Sequence, residues 1–187
     1  MAALPQAGTP AARNGFTLVE MMITLAVLAV LGAIGVPSLS ALAARHRLQA
    51  VAHQLQADVA RAKLESARHG QPVTLRFLAG PAWCYHLTTG PGGDCRQAGA
   101  GPAHGVLRVV QAADHPGIEL LEASTMLIDH SRPGALPAGP PAGHAQFATR
   151  EGLQLRVRLG PQARASLCSV GPPISGTAPC PADSAGP

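Results

Sequence analysis

The chain has 187 residues, 47% of them apolar and only 13% charged, with a formal net charge of +4. That length suits one folded domain with appendages, and the composition excludes a disordered charged chain and a coiled coil. The basic excess is too small by itself to argue for a nucleic-acid partner, and 21 Gly and 18 Pro against three Phe, one Trp and one Tyr predict many turns around an aliphatic core.

The apolar residues are concentrated at the start. Between Phe16 and Ala44 the only charged residue is Glu20. As a helix rising ~1.5 Å per residue, that run exceeds a hydrocarbon core of ~30 Å, so it predicts a membrane anchor. A secretory signal would place its small-residue cleavage site after the apolar run. Here the telling residues, Gly15-Phe16-Thr17-Leu18-Val19-Glu20, stand at its beginning. A carboxylate within a membrane helix costs about 2.5–3.5 kcal/mol at the bilayer centre and less near the interface. A free α-amine at Phe16 would neutralise it, which requires a cut between Gly15 and Phe16.

These residues resemble the leader of type IV pilins and type II secretion pseudopilins. The resemblance implies cleavage by a prepilin peptidase after Gly15 and N-methylation of Phe16. It further implies a single pass through a bacterial inner membrane with the C-terminal head in the periplasm, and assembly with other pilin or pseudopilin subunits on an inner-membrane platform. Glu20 would then meet the Phe16 amine of a neighbouring subunit, pairing a buried charge. Pro37, where family members often carry a helix-loosening proline, would deprive the Ala33 carbonyl of its partner. Gly32 and Gly35 make local melting there less costly, and small residues such as Ala26 and Ala29 allow close helix approach. Arg45 and Arg47 after the anchor outnumber Arg13 before it, and a charge count alone would place the C-terminal side in the cytoplasm. Large C-terminal domains translocate largely regardless of charge, and the leader decides the orientation.

The helix is predicted to continue to His69. Leu48, Val51, Leu55, Val59, Ala62 and Ser66 recur at steps of three and four and form one face. Asp58–Arg61 and Arg61–Glu65 have the spacing of surface pairs, and Gly70 and Pro72 end the helix. The period then changes to two. Val73, Leu75 and Phe77 form one strand and Trp83, Tyr85 and Leu87 another, alternating with Cys84, His86 and Thr88 and joined through Ala79-Gly80-Pro81 as a hairpin. Further strands are expected at Val106 to Val110, Ile118 to Leu121, Met126 to Ile128 and Leu153 to Leu159, with Arg164 to Val170 pairing the last. Residues 132–143 and the tail from Gly171 are Pro-rich and read as irregular and loosely ordered.

The predicted fold is therefore α+β and pilin-like: a long N-terminal helix, part membrane anchor and part amphipathic, packed on an antiparallel β-sheet head. The domains are a leader over 1–15, an anchor and assembly helix over 16–44, a head over 45–170 and a tail over 171–187. Within the family, Arg61 to Leu75, an Ala/Arg-rich helix end followed by a Val-bearing strand, and Phe147-Ala148-Thr149-Arg150-Glu151-Gly152 resemble the GspH/FimT branch. That branch holds minor pseudopilins of secretion systems and minor pilins of type IV pili.

Cys84, Cys95, Cys168 and Cys180 allow three pairings. The two local ones, Cys84–Cys95 and Cys168–Cys180, each close a short loop leaving a strand and are favoured. A zinc reading needs tighter ligand spacing, such as two Cys two to four residues apart, and none are; His86 and His104 could join Cys84 and Cys95 in principle, but neither metal nor cofactor is expected. No phosphate-cradling Gly-Lys-Ser/Thr loop occurs, and Asp114-His115 and Asp129-His130 read as solvated polar pairs. The expected role is structural and non-enzymatic. The alternative is DNA capture, as in FimT-type minor pilins, through Arg156, Arg158 and Arg164 with Arg150 nearby. The Gly-Arg-x-Arg element of those proteins is missing, and Gly160-Pro161-Gln162-Ala163-Arg164 is only a partial counterpart.

Overall fold

In the computed structural model, residues 15–90, 94–96, 105–130, 143–160 and 162–181 are described, without the side chains of 34–38. Helix α1 spans Leu18–His69. It opens on Thr17, whose Oγ1 accepts the Glu20 amide at 3.3 Å while its carbonyl accepts the Met21 amide at 3.1 Å. Thr-x-x-Glu is the spacing of a capping box, with the side chain of the first residue satisfying an otherwise orphaned N–H of the first turn. The helix closes on Gly70, which takes the left-handed conformation (φ +63°) that ends helices.

Two compact units divide the chain, residues 1–40 and 41–187. In the first, the described apolar side chains are exposed, with Phe16 at 76% and Leu31 at 61%. Among the described residues no helix is long and apolar enough to cross a membrane.

The second unit is a head in which α1 packs against two antiparallel sheets. Strands β1 (Val73–Leu78), β2 (Cys84–Thr88), β3 (Val106–Gln111), β4 (Ile118–Ala123), β5 (Met126–Ile128), β6 (His144–Thr149), β7 (Gln154–Leu159) and β8 (Ala165–Val170) follow in order. One sheet runs β3-β2-β1-β5 and the other β4-β6-β7-β8. The chain passes between them at Ala112–Asp114, a single helical turn, and again between β4 and β5. The Gly80 amide, in the β1–β2 turn, bonds the Leu120 carbonyl at 3.4 Å and joins the two sheets. The expected hairpins β1–β2 and β7–β8 are present, and the antiparallel head is built of two sheets.

The predicted helix face is the observed one: Leu48, Val51, Leu55, Val59, Ala62 and Ser66 are all buried, and Leu64 faces outward. Trp83 is the centre of the core. Its ring stacks near Tyr85 (6.4 Å) and His115 (6.0 Å) and meets Phe147 edge-on at 5.5 Å. Its Nε1 donates to the Ile118 carbonyl at 2.8 Å, which satisfies the one polar atom of a fully buried indole.

Three expectations are corrected. Asp58 is not half of a surface pair with Arg61: it is 2% exposed, accepts the Tyr85 hydroxyl at 2.8 Å and faces Arg108 at 3.3 Å. Glu65 pairs instead with Arg68 and His69. Strand β2 does not alternate in burial, since Cys84, His86 and Thr88 are covered as well as Tyr85 and Leu87. The tail is not loose as far as residue 181. Ile174 is buried, Ser169 pairs with the chain at Ala178 and Cys180, and Arg45 donates to the Ser175 carbonyl at 2.7 Å. A disulfide to β8 holds this segment, which composition alone does not reveal.

Candidate functional site

Gly15, Phe16 and Thr17 form a short non-helical approach to α1, and Glu20 lies in its first turn. The bond between Gly15 and Phe16 thus stands immediately before the Thr17 cap. Among the described residues nothing lies within 4 Å of where a Gly15 Cβ would stand, and the Gly15 backbone is not left-handed. The fold itself would therefore accept alanine there, and any requirement for glycine comes from outside the chain. Phe16 and Met21 occupy the positions flanking a cap that often pack together as an apolar staple. Cleavage at this bond leaves Thr17 to cap the helix, so the first turn keeps its bonded donor. The rest of the leader, residues 1–14, and the side chain of Pro37 lie outside the described residues.

The structure joins Cys84 to Cys95 and Cys168 to Cys180, with Cα separations of 6.0 and 4.7 Å. Cys84, Asp94 and Cys95 have ligand atoms within 4.8 Å of one another. Both sulfurs are committed to the disulfide, and a metal takes thiolates, so the oxidised cluster is no metal centre. His86 lies on β2, buried at 2% exposure with both ring nitrogens unpartnered among the described residues. Burial holds its pKa below the usual histidine value, assisted by the Arg76 charge and opposed by Asp94.

The three candidate arginines are not equivalent. Arg156, on the outer face of β7, directs Nε and Nη2 to Gln146 Oε1 at 3.0 and 2.7 Å. The Gln146 amide in turn donates to Gln154 Oε1 at 2.9 Å. Arg156 is thereby part of a surface ladder that spans β6 and β7. Arg158 lies two residues along the same strand and is half-buried. Arg164 stands in the β7–β8 turn and lines a groove against α1.

Sequence reasoning missed two polar constellations. Burial raises the Asp58 carboxyl above the usual carboxylate range, against the Tyr85 hydrogen bond and the Arg108 charge, and it raises the Tyr85 phenol as well. These three residues bind α1 to β2 and β3. The position of Asp58, three residues after Leu55 and four before Ala62 on the buried helix face, was the available signal. The second is Ser124, His144 and Glu122. Ser124 Oγ is 3.3 Å from His144 Nδ1, and His144 Nε2 is 3.2 Å from Glu122 Oε1. Ser124 Oγ also accepts the His144 amide at 2.9 Å, and the Ser124 amide bonds the His144 carbonyl at 2.8 Å. This trio extends the open end of the β4–β6 ladder.

The family model for the prokaryotic N-terminal methylation motif matches residues 10–36. The chain carries a type IV pilin-like leader, which points to a pilin or pseudopilin processed by a prepilin peptidase and to a structural subunit. No curated protein and no solved structure matches the chain.

Proposed function

We propose that the chain is a minor pilin or pseudopilin of the GspH/FimT kind. It is cut between Gly15 and Phe16, methylated at Phe16 and held in a bacterial inner membrane by the segment 16–44 with the head on the periplasmic side. From there it joins other pilin-like subunits in a secretion pseudopilus or a type IV pilus. Its work is mechanical, and it needs no cofactor. The methylation motif and the uncharged run after Glu20 support the membrane-held precursor. The two disulfides suit an oxidising compartment. A head with α1 laid on antiparallel sheets suits a filament subunit.

The observation that carries the reading is Gly15: a glycine the fold does not need, set against a cap that is complete without it. The test is Gly15→Ala in cells that hold the processing machinery. The parent is expected to begin at a methylated Phe16 by mass spectrometry, and the variant to keep its leader while folding a normal head. Assembled parent material that still carries residues 1–15 would overturn the proposal.

A further inference from the structure

Strand β8 is an edge strand, and the chain covers only part of that edge. The Ser169 amide and carbonyl point outward and bond Ala178 and Cys180. The Ala165 carbonyl also points outward, to Gln56 Nε2 at 3.2 Å. Alternation along an antiparallel strand gives Leu167 the same direction. Among the described residues nothing bonds the amides of Ala165 and Leu167 or the Leu167 carbonyl at this edge.

Beside that edge runs an open groove of about 520 Å³ between α1 and the β7–β8 turn. Its floor is apolar, from Val59, Ala60, Ala163 and Ala165, and two cations, Lys63 and Arg164, line its sides. Lys63 Nζ donates to the Gln162 carbonyl at 3.0 Å. Among the described residues neither cation meets a carboxylate. Ala163 holds φ at +52° in the turn, a conformation L-residues seldom adopt; it carries the chain from Gln162, which Lys63 holds, into Arg164.

We infer that this groove is a docking site for an extended acidic segment of a second polypeptide, which adds a strand to β8 at Ala165–Leu167 and sets a carboxylate between Lys63 and Arg164. The free edge supplies main-chain hydrogen bonds, the small-residue floor takes alternate apolar side chains, and the cations select an acidic partner. The complementarity of charge decides against a neutral strand, and the strand geometry decides against a bare anion. This site goes beyond the processing of the N-terminus and is independent of it.

The test uses the full chain in detergent and a short fluorescein-labelled peptide alternating Val and Glu, read by anisotropy. The peptide is expected to bind, with affinity falling as salt rises. Lys63→Gln combined with Arg164→Gln should weaken binding by about tenfold or more, the equivalent of ~1.4 kcal/mol. Both side chains are exposed, so the variant keeps the parent circular dichroism spectrum. The same peptide N-methylated at alternate amides should bind at least as poorly. Binding that survives either change, no binding by the parent, or capture of a duplex DNA oligonucleotide in preference to the peptide would overturn the inference.

Discussion

Tyr85 on β2 donates its hydroxyl to Asp58 on α1 at 2.8 Å, and this bond fastens the helix to the sheet through a carboxylate almost wholly removed from water. Arg108 supplies the charge partner from β3. Tyr85→Phe deletes one acceptor interaction of a buried ionisable group while keeping the ring. It should lower the stability of the head by about 1–3 kcal/mol, measured by urea denaturation. Because burial raises the Asp58 pKa in the folded state, the folded chain holds the proton more tightly than the unfolded one. The contribution of this group is therefore greatest at low pH and declines as pH rises from the ordinary carboxylate range through the folded pKa. Asp58→Asn removes that decline, so stability measured against the parent should shift in favour of the variant as pH increases through that window.

His86 works in the opposite sense. Burial depresses its pKa, so the unfolded chain takes up protons that the folded chain refuses. Stability is full above the ordinary histidine pKa of about 6.5 and falls as pH drops below it, by at most ~1.4 kcal/mol per pH unit. His86→Leu should flatten this slope. A midpoint that changes equally with pH in the parent and in His86→Leu would contradict the expectation.

The Cys168–Cys180 disulfide, with a sequence separation of 12, clamps the tail to the β8 edge. Replacing both residues by Ser should cost about 3 kcal/mol in a chain-entropy model. It should also free the Ser169 edge contacts, read as faster amide exchange at Ser169 and at position 180. Equal exchange in parent and variant would show that Ile174 and the hydrogen bonds of the segment hold it without the disulfide.

On the proposed function, Glu20→Ala should leave the precursor membrane-bound and processed. Filament incorporation should fail, because the Phe16 amine of a neighbour would lose its counter-charge at a cost of about 3–5 kcal/mol. Glu20→Gln keeps the shape and should fail likewise, as judged by the fraction of subunit recovered in sheared filaments. Incorporation of the Gln variant at the parent level would show that the charge is not what assembly requires.

The helix and most strands were legible because each shows one apolar face to the core. The face from Leu48 to Ser66 and the alternation from Leu155 to Leu159 translate directly into the observed burial. Strand β6 was not anticipated. Its residues from His144 to Thr149 include one strong strand former, Phe147, and it lies inside its sheet with nearly every side chain covered. A strand buried on both faces has no period to read. The same covering hides the alternation of β2. Asp58 was read as surface because a charged residue on a helix usually is; its partners Tyr85 and Arg108 come from strands far along the chain, and only the fold brings them to it. The leader was the most legible part, since its chemistry is local in sequence, whereas the split of Arg156 and Arg164 between a sheet face and a groove depends on how β7 turns into β8.

Trp83 is the only tryptophan of the chain, and it is enclosed among Tyr85, His115 and Phe147 at the heart of the head. Intrinsic tryptophan emission from this protein is accordingly a private signal of the head. Insertion of the stem into detergent or lipid leaves its wavelength unchanged, and a red shift on heating or reduction announces loss of the folded head, so the two events can be followed separately in a single cuvette without any added label.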